Sequence, residues 1–374
     1  MKIALMGSRG IPANYSGFET FFEQLGSRLA ARGHDVFVYN RSNYIEYREP
    51  VYQGVHLVRI PTIPSKHLDT VVHTFLSVLH GAFHGFDLIC FTGVGNVPFA
   101  GLPRVVGIRT VCNVDGADWQ REKWGKAARL YLRSCERLAG TMCNRVITDS
   151  RVMQENYLKD LKQETVFIPY GSDIGRNGNK DWIRNFELEP DRYILFIGRL
   201  VPENGAHHLV RAFHEIKTDF KLVLVGDAPY SDKYKKELKA LADERVIFTG
   251  YVFGEGYKAL SSHAYCFVLP SRIDGTRPVL LEQLGFGNCV VVSNSPGNLE
   301  VIGDSGIQFD GTVADLKEKL EELIAHPETV EKYRGLGPER IAKRYDWERI
   351  TDEYEKLFCE LVVKGARYGM RDAR

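Results

Sequence analysis

The stretch Lys2-Ile-Ala-Leu-Met-Gly7 is a short apolar run that ends in glycine, and an amphipathic stretch follows it from about Gly17 to Ala31. A short apolar run bounded by a turn residue is typical of a buried strand, whereas apolar residues that recur with the period of a helix predict a helix. The helical pattern stops at Gly33, a residue type that commonly ends helices. The chain therefore opens on a strand, a loop and a helix.

The same alternation continues along the chain. Further strand-like runs in the first half are Asp35–Tyr39, Val55–Ile60, Asp87–Thr92, Thr110–Val114, Arg145–Thr148 and Val166–Pro169. After the polar stretch 171–191, a second series comprises Tyr193–Ile197, Lys221–Val225, Val246–Thr249, Cys266–Leu269 and Cys289–Val292. Strands that alternate with helices favour parallel, doubly wound sheets. We predict two Rossmann-like α/β domains that face each other across a ligand-binding cleft.

The restart of the pattern sets the domain boundaries. We expect one domain over residues 1–171, a second over 172–345 and a final helical segment over 346–374. In that segment Trp347, Ile350, Tyr354, Leu357 and Leu361 recur at helical spacing, so an apolar face must pack against a neighbour. A chain of 374 residues also exceeds the size at which a single core usually stops growing.

Charge is nearly balanced along this chain. The sequence has 49 Lys and Arg against 48 Asp and Glu; residues 1–170 carry 20 and 15 of these, and residues 171–374 carry 29 and 33. Nucleic-acid binding usually needs a dense basic face, so we expect no nucleic-acid partner. The mild excess of positive charge in the first half is compatible with an anionic surface near the first domain.

Membrane-spanning and export signals are not apparent in the sequence. The apolar stretch 83–99 is interrupted by His84, Asp87 and several glycines, and is shorter than the roughly 20 residues of a membrane span. The N-terminus passes from Lys2 directly into a strand-like run, without a signal-length apolar region. The seven cysteines are never closer than eight positions apart and lie mostly in apolar segments. We expect a cytoplasmic protein with reduced, buried cysteines.

The first loop, Gly7-Ser-Arg-Gly-Ile-Pro12, does not match the G-x-G-x-x-G pattern of dinucleotide-binding proteins. This disfavours a nicotinamide enzyme. The loop leads instead to Gly17 at the predicted helix start, where backbone N–H groups and the helix dipole can receive an anion. A plain helix cap at Gly17 is the alternative that the sequence leaves open.

Two stretches of the second half carry the clearest candidate site residues. Arg199 follows the strand Tyr193–Ile197, at the sheet edge where doubly wound folds bind ligands, and its planar donors suit phosphate oxygens. Asp274 lies in a glycine-containing turn after the strand Cys266–Leu269, and Glu282 follows it on the next helix. The two carboxylates can therefore face one ligand. Helix capping is the alternative for each acid taken alone.

Four motifs together resemble the retaining family 4 glycosyltransferases of the GT-B fold. They are Gly198-Arg-Leu-Val-Pro-Glu203, the spacing of Asp274 and Glu282, Ile168-Pro-Tyr-Gly-Ser-Asp173 and Tyr345-Asp-Trp347. Within that family, the stretch from Gly7 to Thr20 and Asn113-Val-Asp-Gly-Ala-Asp-Trp119 are similar to a subgroup that includes bacterial rhamnosyltransferases of surface polysaccharide synthesis.

The resemblance implies a role for each candidate residue. Glu282 would accept hydrogen bonds from the nucleotide ribose, Arg199 would bind the diphosphate, and Gly17 would lie beside the donor phosphates. Asp274 would hold hydroxyls of the donor sugar, and Tyr251 would pack on the base. The resemblance further implies that the first domain binds the acceptor and the second the nucleotide-sugar donor, and that the final helix packs back on the first domain.

Three features differ from the family pattern. One is the first acid, which is Asp274 rather than glutamate, with Pro278 one residue earlier than is common in the family. Asn204 replaces the lysine that usually accompanies the arginine, and Arg277 is the nearest cation that could restore the lost charge. Asp115 stands where many members have a histidine directed at the transferred sugar, which indicates a donor with a different hydroxyl pattern. We assign Asp115 to a contact with a sugar or acceptor hydroxyl, with helix capping as the alternative.

The expected enzyme is a metal-independent hexosyltransferase without a cofactor. No D-x-D motif, which metal-dependent transferases of another fold use, occurs in the sequence. A nucleotide-sugar epimerase or phosphorylase of the same fold is one alternative, and donor consumption without an acceptor would favour it. A non-catalytic nucleotide-sugar binding module, with tight donor binding and no turnover, is another.

The acceptor is expected to be a saccharide, and the resemblance favours a lipid-linked one at the inner leaflet of the cell membrane. The stretch Trp119–Leu138 predicts a helix with an apolar side and a basic side. The apolar side has Trp124, Ala128, Tyr131, Cys135 and Leu138, and the basic side has Lys126, Arg129, Arg133 and Arg137. This pattern fits both a helix resting on anionic lipid and a core helix with a solvated basic face.

Overall fold

The computed structural model of the chain describes residues 1–13, 17–65, 68–114, 116, 119, 124–176, 178–229, 231–272 and 275–369. It divides into two compact units. Unit 1 comprises Met1–Tyr170 together with the segment that begins at Trp347, and unit 2 comprises Gly171–Asp346. Among the helices of the described ranges, none is long and apolar enough to cross a bilayer.

Unit 1 contains an eight-stranded sheet with the order β3-β4-β2-β1-β5-β6-β7-β8. Its strands are β1 (Lys2–Met6), β2 (Asp35–Arg41), β3 (Val51–Tyr52), β4 (Val55–Ile60), β5 (Leu88–Thr92), β6 (Arg109–Val114), β7 (Arg145–Thr148) and β8 (Val166–Phe167). Neighbouring strands are parallel except β3, which forms a short antiparallel hairpin with β4. The predicted doubly wound parallel sheet is confirmed, with one antiparallel edge strand that the sequence analysis did not predict.

The helices of unit 1 lie on both faces of this sheet. They are α1 (Gly17–Ala31), α2 (Asp69–Gly81), α3 (Gly101–Val105), α4 (Lys126–Met142), α5 (Arg151–Leu161) and α13 (Trp347–Gly369), with a 3-10 helix at Val94–Ala100. Gly26 of α1 packs on Leu5, whereas α2 and α4 share a core cluster with Ala4 and Met6. Because alternate residues of a strand face opposite sides, α1 covers one face and α2 and α4 cover the other.

The final helix α13 packs within unit 1. The ring of Tyr354 lies 5.3 Å from that of Phe21 on α1, and its hydroxyl accepts a 2.6 Å hydrogen bond from Asn113 Nδ2 at the end of β6. Tyr354 is fully buried. A large buried aromatic that is also hydrogen-bonded fixes both the position and the rotation of the helix.

Unit 2 has a six-stranded parallel sheet with the order β11-β10-β9-β12-β13-β14. Its strands are β9 (Tyr193–Ile197), β10 (Lys221–Val225), β11 (Val246–Gly250), β12 (Cys266–Leu269), β13 (Cys289–Ser293) and β14 (Ile307–Phe309). Its helices are α6 (Ala206–His214), α7 (Asp232–Leu241), α8 (Gly254–Ser262), α9 (Pro278–Gly285), α10 (Pro296–Ile302), α11 (Val313–Ala325) and α12 (Pro327–Arg344), with 3-10 helices at Lys180–Phe186 and Pro202–Asn204.

Two expectations from the sequence need correction: the start of helix α4 and the burial of all seven cysteines. Helix α4 begins at Lys126, not at Trp119, because Gly125 is still extended, with φ −71° and ψ 171°. The side of α4 that carries Cys135 belongs to the core of unit 1. Of the seven cysteines, six are buried, but Cys359 on α13 is exposed.

Candidate active site

The carboxyl ends of three neighbouring strands meet closely in unit 2. Gly198, Gly226 and Gly250 stand at the ends of β9, β10 and β11, and the Gly226 N–H donates to the Gly250 carbonyl at 2.8 Å. A Cβ atom at Gly226 would lie 2.1 Å from the Gly198 carbonyl oxygen, and the φ of Gly226 is +128°. Only glycine allows this approach. The loop that follows β9 therefore starts from a tightly fixed edge.

Arg199 opens that loop and is partly buried. Its carbonyl accepts hydrogen bonds from the Val201 N–H at 2.9 Å and from Asn204 Nδ2 at 2.8 Å. Within the described parts of the chain, no hydrogen bond or ion pair engages its guanidinium. The backbone of Arg199 is thus fixed, while the N–H donors of its guanidinium remain available to bind an anion.

Asn204, predicted as a donor-binding residue, stabilises this loop. It is buried, with 6% of its surface exposed, and its amide nitrogen is committed to the Arg199 carbonyl. Its Oδ1 atom has no hydrogen-bond partner among the described residues. The amide therefore supplies no positive charge in place of the family's lysine, and its one unused polar atom is an acceptor.

Arg277 is linked to the same loop through Ser271. Arg277 directly precedes α9, and its Nη2 donates to Ser271 Oγ at 2.9 Å. The Ser271 hydroxyl in turn donates to the carbonyl of Glu203 at 3.2 Å. Ser271 is 1% exposed, and its own carbonyl accepts a 3.0 Å hydrogen bond from Asn298 Nδ2. This buried serine connects the start of α9 to the Arg199 loop.

Glu282 lies on α9, partly buried, and accepts a short hydrogen bond from the Tyr257 hydroxyl on α8. Burial raises the pKa of Glu282 to about 7; the Tyr257 hydrogen bond opposes the rise and the nearby Asp173 carboxylate adds to it. The carboxyl therefore changes its charge close to neutral pH. Such perturbed groups are frequent in functional sites.

Buried polar contacts fix the surroundings of Glu282. The neighbouring Gln283 donates to Ser261 Oγ at 2.9 Å, and Asn288 donates to Gln283 Oε1 at 2.6 Å. At the end of α9, a Cβ atom on Gly285 would lie 2.1 Å from the Asp173 carbonyl oxygen. The absence of a side chain at Gly285 lets the segment with Asp173 lie directly against the helix.

Tyr251 follows β11 and remains 42% exposed. Its ring is stacked on that of Phe253, with 5.9 Å between centroids and 14° between planes. The 50% exposed Phe253 was not singled out in the sequence analysis. Two parallel, accessible rings provide a flat surface of the kind on which a base can stack.

The Gly17 region belongs to unit 1, where two carboxylates hold the loop. Gly17 begins α1, as predicted. The Arg9 N–H donates to Glu19 Oε1 and the Ala13 N–H donates to Glu23 Oε2, both at 2.7 Å. Glu19 is 2% exposed and lies in the first turn of α1. A buried carboxylate at this helix start opposes binding of a second anion there.

Asp115 and Asp274 lie outside the described residues, and their roles stay predictions. Sequence reasoning missed Ser271 and Tyr257, because their hydrogen bonds with Arg277 and Glu282 form only in the folded chain. Among the side chains that the structure describes, no three histidine, cysteine, aspartate or glutamate residues converge as metal ligands.

Comparison with known proteins finds one matching family model for each half of the chain. Residues 16–171 match the model described as glycosyl transferase 4-like domain, and residues 191–326 match the model described as glycosyl transferases group 1. Alpha-maltose-1-phosphate synthase of Mycobacterium tuberculosis is 31% identical over 192 residues, which cover 46% of this chain and 49% of that protein. The chain spans about half the length of this relative.

Two solved structures share the architecture. Sucrose-phosphate synthase from Thermosynechococcus elongatus has a TM-score of 0.80 at 21% identity, over 97% of this chain and 99% of that one. Anabaena HepE in complex with UDP-glucose has a TM-score of 0.79 at 18% identity, over 96% of this chain and 100% of that one. These likenesses confirm the predicted fold. The chain thus has the GT-B fold, and two glycosyl transferase family models match its two parts in chain order, so the chain is similar to the family 4 glycosyltransferases.

Proposed function

We propose that the protein transfers a hexosyl group from a nucleotide diphosphate sugar to a hydroxyl of a saccharide acceptor. The observation that carries this proposal is the hydrogen-bonded link from Arg277 through Ser271 to the Arg199 loop, at the carboxyl edge of the unit 2 sheet. It fixes the Arg277 guanidinium beside the loop that carries Arg199, with Glu282 on the helix that Arg277 precedes. A diphosphate matches the two arginines in charge, and the hydroxyls of a ribose match the Glu282 carboxylate as hydrogen-bond donors.

Each group then has a role toward the donor. Arg199 and Arg277 bind the diphosphate oxygens, and Arg277 supplies the charge that Asn204 lacks. Glu282, once ionised, accepts hydrogen bonds from the ribose hydroxyls, and Tyr251 packs on the base together with Phe253. The likeness to a structure that contains UDP-glucose supports a nucleotide-sugar donor.

We propose transfer with retention of the anomeric configuration and without a metal. The bond from the sugar C1 to the diphosphate oxygen breaks, a bond from C1 to the acceptor oxygen forms on the same face, and the acceptor proton passes to the leaving phosphate. The arginines stabilise the charge that develops on that leaving group. Asp274 holds sugar hydroxyls, and Asp115 contacts a ring or acceptor hydroxyl.

The substrates that we propose are a deoxysugar nucleotide, most specifically an activated rhamnose, and a lipid-linked saccharide of surface polysaccharide synthesis. Asp115 replaces a histidine that commonly reaches the six-position hydroxyl, and rhamnose carries a methyl group there. A carboxylate accepts hydrogen bonds but donates none when ionised, so it suits a different hydroxyl. A lipid-linked acceptor places the reaction at the cytoplasmic face of the membrane.

A mass-spectrometric screen tests this function. The purified chain is incubated with dTDP-rhamnose, UDP-glucose, UDP-N-acetylglucosamine or GDP-mannose, each with and without lipid-linked saccharides. We expect a product heavier by one sugar only when both substrates are present, with dTDP-rhamnose preferred. Preference for a donor with a six-position hydroxyl contradicts the rhamnose assignment alone. Donor consumption without an acceptor favours an epimerase or phosphorylase, and tight binding without turnover favours a binding module.

A further inference from the structure

Helix α2 of unit 1 buries mostly polar side chains, with Val78 as the apolar exception, and exposes apolar ones. The buried side carries Asp69, His73, Thr74 and Ser77, all at most 9% exposed. The outer side carries Phe75 and Leu79, each 43% exposed, and the stripe continues past the helix end to Phe83, which is 87% exposed. A helix on the surface of a globular protein normally has the opposite arrangement.

The buried polar side of α2 is tied into unit 1, so the orientation of the helix is fixed. The Asp69 carboxylate lies 2.7 Å from the Arg41 guanidinium. The arginine side chain is 5% exposed, and the aspartate side chain, counted without its backbone, is 12% exposed. The Thr74 hydroxyl donates to Asn96 Oδ1 at 2.7 Å. Turning α2 to bury its apolar side would leave these buried polar groups without their partners. The free energy lost in that way exceeds the cost of exposing single apolar side chains.

Helix α3 extends the apolar surface. The Phe75 ring lies 6.2 Å from that of Phe99, which belongs to the 3-10 helix before α3. Val105, at the end of α3, is 85% exposed, and Val106 after it is 58% exposed. We call Phe75, Leu79, Phe83, Val105 and Val106 the α2–α3 face. Helices α2 and α3 are in contact, and exposed apolar side chains on neighbouring elements mark an interaction site.

Positive charge borders the α2–α3 face. Arg104 of α3 is exposed and donates to the Thr141 carbonyl of α4, which brings the two helices together. The outer surface of α4 then adds four exposed basic residues: Lys126, Arg129, Arg133 and Arg137. The acid of α4, Glu136, is buried. The exposed Asp87, close to Phe83 in the chain, accepts a 2.7 Å hydrogen bond from the Lys2 N–H.

We propose that the α2–α3 face docks on an anionic lipid bilayer. Phe83 and Val105 enter the interface, and the arginines of α3 and α4 bind lipid headgroups. The apolar side of α4 named in the sequence analysis is divided: Cys135 is 1% exposed and packs in the core, whereas Tyr131 and Leu138 are 39% and 40% exposed. The positive border favours an anionic bilayer over a second copy of this chain, whose matching face would carry the same charge.

Co-sedimentation of the full chain with vesicles tests the proposal without donor or acceptor. One vesicle type is phosphatidylcholine alone, and the other is phosphatidylcholine mixed with phosphatidylglycerol. We expect binding to the mixed vesicles that weakens as salt is raised. The double variant Phe83→Ser/Val105→Ser should partition at least about tenfold less, since each buried apolar side chain contributes roughly that factor. The control Leu158→Ser, at a 54% exposed position on α5, should bind like the wild type.

The charges are tested separately by Arg104→Gln/Arg137→Gln. This variant should lose about fivefold per charge at low salt and little at high salt. Equal binding of both vesicle types, or unchanged binding by the Phe83→Ser/Val105→Ser variant, would overturn the proposal. So would a wild-type dimer that this variant converts to a monomer without any vesicle binding, which would assign the face to a second copy.

Nucleoside diphosphate binding to unit 2, measured in solution, should be equal in all variants. A failure of membrane docking is therefore distinct from a failure of the proposed sugar transfer.

Discussion

Two loops of this protein share one local pattern, a strand followed by a glycine, a short loop and a helix, yet they differ in charge. In unit 1, the loop after β1 donates its Arg9 and Ala13 amides to Glu19 and Glu23 of the next helix. In unit 2, the neutral side chain of Asn204 fixes the loop after β9. Among the described residues, no carboxylate pairs with the guanidinium of Arg199.

The difference teaches that the strand–loop–helix pattern alone does not make an anion site. The helix start in unit 1 already has a buried carboxylate in its first turn, which compensates the helix dipole. The edge in unit 2 combines fixed backbone with arginine donors, so we assign the diphosphate to unit 2. The predictions that follow test this contrast.

The largest effect is expected from Arg199→Ala. Turnover should fall about a hundredfold, because loss of one charge-assisted donor to a developing diphosphate costs about 3 kcal/mol. Circular dichroism should show a folded protein, since the side chain holds no other part of the described structure. Arg211→Ala, at an exposed position on α6, is the control. Near-normal turnover in both Arg199→Ala and Arg277→Ala would remove the diphosphate from this edge.

Glu282→Ala should weaken nucleotide binding by about 1.5 to 3 kcal/mol, because a charged hydrogen-bond acceptor for the ribose is lost. Calorimetric titration with the free nucleoside diphosphate measures this. Glu255→Ala, on the exposed start of α8, should bind normally. Unchanged affinity in Glu282→Ala contradicts the ribose assignment, and an equal loss in Glu255→Ala indicates a general change in charge instead.

The raised pKa of Glu282, about 7, predicts that nucleotide affinity rises with pH. Between pH 6 and pH 8 the ionised fraction grows about tenfold, and affinity should follow it. Glu282→Gln should bind weakly with no such rise. The same shift lowers the stability of the free protein as pH increases from about 4.5 to 7, because the folded carboxyl retains a proton that the unfolded one releases. An affinity that is flat in the wild type over this range contradicts the ribose role of the carboxylate.

Ser271→Ala should have a smaller effect, about fivefold in the affinity for a nucleoside diphosphate, because one hydrogen bond that orients Arg277 is lost. Affinity for the matching monophosphate should change less. Ser305→Ala, a buried serine that bonds only the Ile302 carbonyl in the described structure, controls for loss of a buried hydroxyl. Equal losses for the two nucleotides would make Ser271 structural rather than a positioning residue.

Chelation is expected to have the smallest effect. EDTA should leave turnover largely intact, because Arg199 and Arg277 neutralise the leaving diphosphate where other transferases use a cation. The assay compares initial rates with EDTA, with added Mg²⁺ and with neither. Complete loss in EDTA that Mg²⁺ restores would overturn the metal-independent mechanism.

Much of the sheet architecture could be predicted from the sequence, because short apolar runs such as Tyr193–Ile197, followed by glycine and alternating with helix-length segments, are typical of buried strands. The strand β3 was missed because two residues, Val51 and Tyr52, make no periodic pattern. The start of α4 was placed too early because the apolar and basic spacing continues across Gly125, where the backbone is not helical.

The sequence predicted site residues only where the role of a residue follows from its position in a strand–turn–helix unit. Arg199 and Glu282 were found because each stands in a strand–turn–helix unit of recognisable sequence. Ser271 and Tyr257 depend on contacts between distant segments, and a serine or tyrosine carries no local sign of such a contact. The inverted arrangement of α2 was equally hidden, since its hydrophobic period does not say which side the rest of the fold covers.

The most direct test of the central claim is the preference of unit 2 for a diphosphate. Titration calorimetry compares UDP with UMP and dTDP with dTMP on the wild type, Arg199→Ala and Glu282→Ala. We predict that the wild type binds one diphosphate at least about tenfold more tightly than its monophosphate, that Arg199→Ala loses this preference, and that Glu282→Ala keeps it at lower affinity for both nucleotides. Equal binding of diphosphate and monophosphate by the wild type, or an unchanged preference in Arg199→Ala, would contradict the account.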